Sequence, residues 1–170
     1  MQVTEALDAI AALIRASEHP DITDVARYGT DTRAGGQSPS GVKVIYQSGS
    51  AAMLWAADAP RPAPAPVPLP AEMPPPAQRA TRLLMFTVQL LDVARPPIFK
   101  SWEPCGFPDV HLTPAALRIT CQDGSTLYLR VTAATGPTGD PTEDPHPDYR
   151  FPEGVRTWPP VVSAQSVVPE

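Results

Sequence analysis

The stretch Ala116–Ala133, ALRITCQDGSTLYLRVTA, constrains this chain more than any other, because its alternation fixes two strands and the loop between them. Leu117, Ile119 and Cys121 alternate with Arg118, Thr120 and Gln122; beyond the turn Leu127, Leu129 and Val131 alternate with Tyr128, Arg130 and Thr132. A period of two is the mark of a strand with one wet face. A two-residue turn over Asp123-Gly124 would pair Gln122 with Ser125 and put Leu117 and Ile119 on the face of Tyr128 and Arg130. A three-residue loop, Gln122-Asp123-Gly124 with Gly124 left-handed, instead pairs Cys121 with Ser125, Ile119 with Leu127 and Leu117 with Leu129. Every apolar side chain then shares one face, and a one-residue slip would undo this, so the three-residue loop is expected.

The same pattern occurs 75 positions earlier in Gly41–Asp58, GVKVIYQSGSAAMLWAAD. Val42, Val44 and Tyr46 stand where Leu117, Ile119 and Cys121 stand later, Gly49 matches Gly124, and Leu54 matches Leu129. Two explanations fit: an internal duplication, or two bulged hairpins made alike by the demands of turn and strand. A further echo, Asp24-Val25-Ala26-Arg27 against Asp92-Val93-Ala94-Arg95, is offset by 68 positions and adds little. The two hairpins differ on their second face. Ile45, Met53 and Trp55 occupy the places of Thr120, Tyr128 and Arg130, so the outer face of the first hairpin is apolar and needs a cover.

Ahead of each hairpin lies a helix signal. In residues 3–17 Val3, Ala6, Leu7, Ile10, Leu13 and Ile14 recur at three- and four-residue steps, with Thr4 as a candidate cap and Pro20 just past the end. Arg79–Arg95, RATRLLMFTVQLLDVAR, is apolar on nearly every side; its length and helix formers predict a buried helix ending before Pro96-Pro97, with a long central strand as the alternative. Asp21–Tyr28 reads as a short edge strand, Thr30–Ser40 as a loop, and Ile98–Pro114, with Phe99, Trp102 and Phe107 among prolines, as an ordered loop packed on the core.

Composition enters through proline. Most of the 24 prolines fall in Ala59–Gln78 and in the region after Gly136, which leaves about 110 to 120 of the 170 residues to form a core. Ala59–Gln78 reads as polyproline II, either a docking ligand for aromatic grooves or a spacer of up to about 60 Å that could strap the Trp55 face. The organisation expected is a first helix-loop-hairpin unit over 1–58, a proline-rich spacer over 59–78, a second unit over 79–135 and an extended, acidic, proline-rich tail over 136–170. The fold class is α+β: two helix-loop-β-hairpin units forming one antiparallel sheet with the helices on one face.

A net charge of −5 disfavours nucleic acid and anionic membrane surfaces. No apolar run is long enough to cross a bilayer, and Glu5 and Asp8 interrupt any signal-peptide core, so a cytoplasmic location without membrane partners is expected. Cys105, His111, Cys121 and His146 include zinc-ligand types but lack paired spacing, and Cys121 reads as a core residue; no metal or other cofactor is expected. Asp109 and His111 share one side of an extended segment near Cys105, without an elbow, oxyanion loop or third partner. Ala34-Gly35-Gly36 lacks the lysine and the helix of a phosphate loop.

What remains is surplus apolar surface. Tyr149, Phe151 and Trp158, with Arg150, stand in a tail otherwise acidic and rich in proline; such residues anchor short segments in a partner's pocket or fold back onto the chain's own Trp55 face. The function expected is a non-catalytic protein-protein interaction or assembly role, binding another protein or its own copy through Ile45, Met53, Trp55, Tyr149, Phe151 and Trp158. The alternative is a small enzyme or metal-binding protein that uses the Cys105–His111 loop.

Overall fold

The computed structural model describes residues 2–29, 39–107, 111 and 114–159. Its elements run α1 (Val3–Ala16), β1 (Ile22–Tyr28), β2 (Gly41–Tyr46), β3 (Ala51–Ala57), α2 (Arg79–Ala94), β4 (Phe99–Cys105), β5 (Ala116–Cys121), β6 (Thr126–Ala134) and α3 (Glu153–Arg156). The strands form a six-stranded antiparallel sheet in the order β1-β2-β3-β6-β5-β4, and the helices pack against it. The expected α+β class is what the chain adopts.

Both hairpins take the three-residue loop. Leu117 pairs with Leu129 and Ile119 with Leu127, the Cys121 N–H donates to the Ser125 carbonyl at 2.8 Å, and Gly124 is left-handed at φ 88°. Val42 likewise pairs with Leu54, the Tyr46 N–H donates to the Ser50 carbonyl at 2.9 Å, and Gly49 is left-handed at φ 83°. Burial explains this register: Val42, Val44, Leu54, Leu117, Ile119 and Leu129 are all sealed from solvent beneath the helices. Each contributes about 1.5–3 kcal/mol that a slip would forfeit.

The correspondence extends past the hairpins with the offset widened to 77 positions. Each main helix runs into a left-handed residue, Glu18 (φ 48°) or Arg95 (φ 46°). Each following strand is bulged two residues in, between Ile22 and Asp24 or between Phe99 and Ser101. The Asp21 carbonyl accepts from the Gln47 N–H at 2.9 Å, and the Ile98 carbonyl accepts from the Gln122 N–H at 3.0 Å. At the centre of the sheet Trp55 pairs with its own counterpart Arg130, which places a local two-fold between β3 and β6.

Four expectations need correction. The segment after Pro97 is not a loop throughout, because Phe99–Cys105 forms edge strand β4. Its bulge breaks the two-residue period that would have revealed it, and Pro104 is tolerated because an edge strand leaves N–H positions unused. The proline-rich spacer is no free rod. Val67 donates its N–H to the Pro104 carbonyl at 3.0 Å along the β4 edge, and Leu69 and Met73 pack on the helix-side core. The tail folds back too, but onto the helices rather than onto the Trp55 face, with Val155 of α3 fully buried among them. Thr4 is not a cap, since α1 begins at Val3 with Gln2 before it. The loop expected over Thr30–Ser40 lies almost wholly outside the described residues.

A candidate ligand cavity beneath the docked tail

The six side chains singled out from the sequence go to opposite sides of the sheet. Ile45, Met53 and Trp55 point away from the helices and are half-buried. Phe107 covers one end of that face: the Arg130 guanidinium lies 4.6 Å from its ring centroid and 5.3 Å from that of Trp55. Tyr149, Phe151 and Trp158 pack on the helix-side core. Nothing brings the two groups together.

The tail aromatics close a cavity of about 310 Å³. Its walls come from five stretches of sequence: the α1–β1 corner with His19 and Asp21, the end of β2 with Tyr46, the spacer with Met73, α2 with Arg82, Phe86 and Gln89, and the tail from Asp144 to Phe151 with Arg156. Phe86 faces inward because α2 is apolar on nearly every side, and the tail is its cover. Tyr149 is held by a hydrogen bond from its hydroxyl to the carbonyl of Ser17, the residue that caps the end of α1. The rings form a connected set, with centroids 4.3 Å apart for His19 and Tyr149, 5.7 Å for Tyr149 and Phe151, and 5.9 Å for Phe86 and Phe151. Edge-to-face and tilted pairs at this spacing add to the stabilisation from burial alone.

A charge network fixes the floor. Arg79, 2% exposed, donates from Nη1 to Asp21 Oδ2 at 2.7 Å and from Nε to Asp140 Oδ1 at 2.9 Å, and its guanidinium lies 4.0 Å over the Tyr46 ring. Its Nη2 lies 2.8 Å from the same Asp140 oxygen without the alignment of a hydrogen bond. Ser48 and Ser50, in the first hairpin's turn, donate their hydroxyls to Asp140 at 2.7 and 2.9 Å. Burial alone would raise the Asp140 carboxyl; the bonds from Ser48, Ser50 and Arg79 outweigh it and hold the carboxyl below its ordinary range. Asp144 is held low in the same way: burial opposes, while the His146 N–H and Arg82 prevail. Arg82 also donates to the Pro74 carbonyl at 2.7 Å. Burial pushes the Tyr46 phenol far above its usual range and, helped by the Arg82 charge, lowers His19 against the pull of Asp21 and Asp144. The Asp21 N–H donates to His19 Nδ1 at 3.1 Å, which leaves the proton of a neutral ring on Nε2.

The Cys105–His111 loop has a different character. Cys105 is sealed beside Phe107, Ala115 and Ala116, and burial pushes its thiol up, the reverse of what a nucleophilic cysteine needs. His111 is exposed, and Asp109 lies outside the described residues. Cys121 is a core residue as expected. Among the described residues no three His, Cys, Asp or Glu side chains converge as a metal site would require, and no helix is long and apolar enough to cross a membrane.

Sequence reasoning missed His19, Asp21, Phe86, Arg79, Arg82, Asp140 and Asp144 as one assembly. One signal was present. Arg79 and Arg82 open a helix whose first turn carries no acid, although the positive end of the dipole disfavours cations there. Two such arginines demand carboxylates from elsewhere in the chain, and Asp21, Asp140 and Asp144 supply them. Comparison of the chain with protein families, curated proteins and solved structures finds no match.

Proposed function

We propose that this protein is a non-catalytic binding protein whose site is the cavity between α2 and the docked tail. One observation carries the reading: a cavity of about 310 Å³, within the size range of small-molecule sites, is walled by His19, Phe86, Tyr149 and Phe151 and built from five stretches of chain. A non-catalytic role is favoured by how the polar groups are employed. Asp21 is bound to Arg79, Asp144 to Arg82, and the lining includes no serine, threonine, cysteine or lysine among the described residues. The test is a titration of the full chain with indole, a neutral flat ring, followed by amide and aromatic resonances. Shifts clustered at 19–22, Phe86 and 144–151 are expected; an unperturbed cavity at millimolar indole would refute the reading.

A second reading keeps the protein-protein role on the other side of the sheet. Ile45, Met53 and Trp55 form a half-buried apolar strip on the face opposite the helices, suited to a second copy of the chain or another protein. On self-association, a concentration-dependent sedimentation coefficient that Trp55→Glu returns to the monomer value is expected, and a constant monomer value counts against it. The matched registers also favour an internal duplication as the origin of the two halves.

A further inference from the structure

The cavity departs from the rest of the molecule in charge. The chain carries a net −5, yet three arginines, Arg82, Arg150 and Arg156, line the cavity against two carboxylates, Asp21 and Asp144. Both carboxylates are already engaged with Arg79 and Arg82. Arg150 and Arg156 have no acidic partner among the described residues. Each is anchored instead by a single hydrogen bond to a carbonyl of the cavity wall, Arg150 from Nη1 to Tyr149 at 3.0 Å and Arg156 from Nε to Phe151 at 3.2 Å. The remaining nitrogens of both guanidiniums are left for something else, and the carbonyls that hold them belong to residues whose rings form the apolar wall.

On the reading of this cavity as a binding site, we propose that its ligand is a small molecule joining a flat, ring-sized apolar body to a carboxylate. The ring enters among His19, Phe86, Tyr149 and Phe151, where aromatic faces offer stacking and edge contacts. The carboxylate meets Arg150 and Arg156, whose planar forks match its two oxygens. Size argues for a small ligand: 310 Å³ lies at the small end of ligand sites. Sign argues against a cationic amine, which would face uncommitted guanidiniums and find both carboxylates taken.

The experiment is a set of titrations of the full chain with indole-3-acetate, indole, tryptamine and phenyl phosphate, read from the same resonances. Indole-3-acetate is expected to bind at least fivefold more tightly than indole and at least tenfold more tightly than tryptamine. Arg150→Ala combined with Arg156→Ala, both exposed positions, should bring the affinity for indole-3-acetate down to that of indole in the same variant; a preference for indole-3-acetate that survived would overturn the role of the two arginines. Equal binding of indole, tryptamine and indole-3-acetate would overturn the anion preference while the binding site itself stands. Tenfold tighter binding of phenyl phosphate would overturn the carboxylate in favour of a phosphate. If none of the four perturbs the cavity, the site and its ligand fall together.

Discussion

The two halves of the molecule turn the same corner with different chemistry. Where α1 gives way to β1 the chain reads His19-Pro20-Asp21; where α2 gives way to β4 it reads Pro96-Pro97-Ile98. Both corners make the same backbone bond to the neighbouring hairpin turn. Behind the first stands Tyr46, behind the second Cys121, at equivalent positions of β2 and β5. The first hairpin's turn is covered by the returning tail, with Pro137 against Gly49, whereas an added Cβ at Gly124 in the second would meet open space. The backbone repeats and the side chains do not. Besides the outer face of the hairpins, the difference lies at this corner, and the first copy of it holds the cavity, the buried arginine and the docked tail. A scaffold that repeats its strand pairing can spare one copy of a corner for binding while the other keeps the core shut.

The largest expected effect tests whether the buried cation belongs to one half alone. Arg79→Met leaves Asp21 and Asp140 buried without their shared partner and should cost about 3–5 kcal/mol in urea denaturation. The matching position at the start of α1 is Gln2, which is exposed, so Gln2→Met should stay within about 0.5 kcal/mol. Equal costs at the two positions would erase the asymmetry. The hairpin turns give a smaller contrast. A Cβ on Gly136 would lie 2.4 Å from the Ser50 nitrogen and 2.6 Å from the Ser48 oxygen, both backbone, so Gly136→Ala should cost about 1–3 kcal/mol and free the tail to proteolysis near Asp140. Gly124→Ala meets no neighbour and should cost about 1 kcal/mol through its left-handed φ alone, with no change in tail cleavage.

The parts of this structure that were legible in the sequence are those decided locally. Hairpin register followed from alternation and one glycine because burying Leu117, Ile119 and Leu129 together leaves a single solution. The helix at Arg79–Ala94 followed from its length and helix formers. Strand β4 was hidden because its bulge shifts the period and Pro104 looks like a break. The cavity was hidden for a deeper reason. His19, Phe86 and Tyr149 are isolated rings in three unrelated segments, and their meeting depends on which way the tail returns. Tyr149 and Phe151 stood out as anchors, but an anchor's composition does not name its pocket; the pocket was the chain's own helix face.

The smallest effect concerns acid. Its sign is the same for His19, Asp140 and Asp144, the shifted groups at the first corner that titrate in acid. His19 is lowered from its ordinary 6.5, mainly by burial, so the unfolded chain takes up the proton more readily than the folded one. Its neutral form contributes fully above about pH 6.5, and that contribution is lost as pH falls through the lower folded value. Asp140 and Asp144 are held below their ordinary 3.8, so their contribution is intact above about pH 4 and is lost as pH falls through their depressed values. Unfolding free energy should therefore decline in two steps on acidification, a shallow one below pH 6.5 and a second below pH 4. In His19→Gln the shallow step should vanish while the second remains, and in Asp140→Asn the second should flatten while the first remains. At the second corner Pro96, Pro97 and Ile98 carry nothing that titrates, so substituting Ile98 by Val should move the whole curve without altering either step. A shallow step that survived in His19→Gln would place the titrating group on a residue other than His19 and break the link between acid sensitivity and the corner that differs.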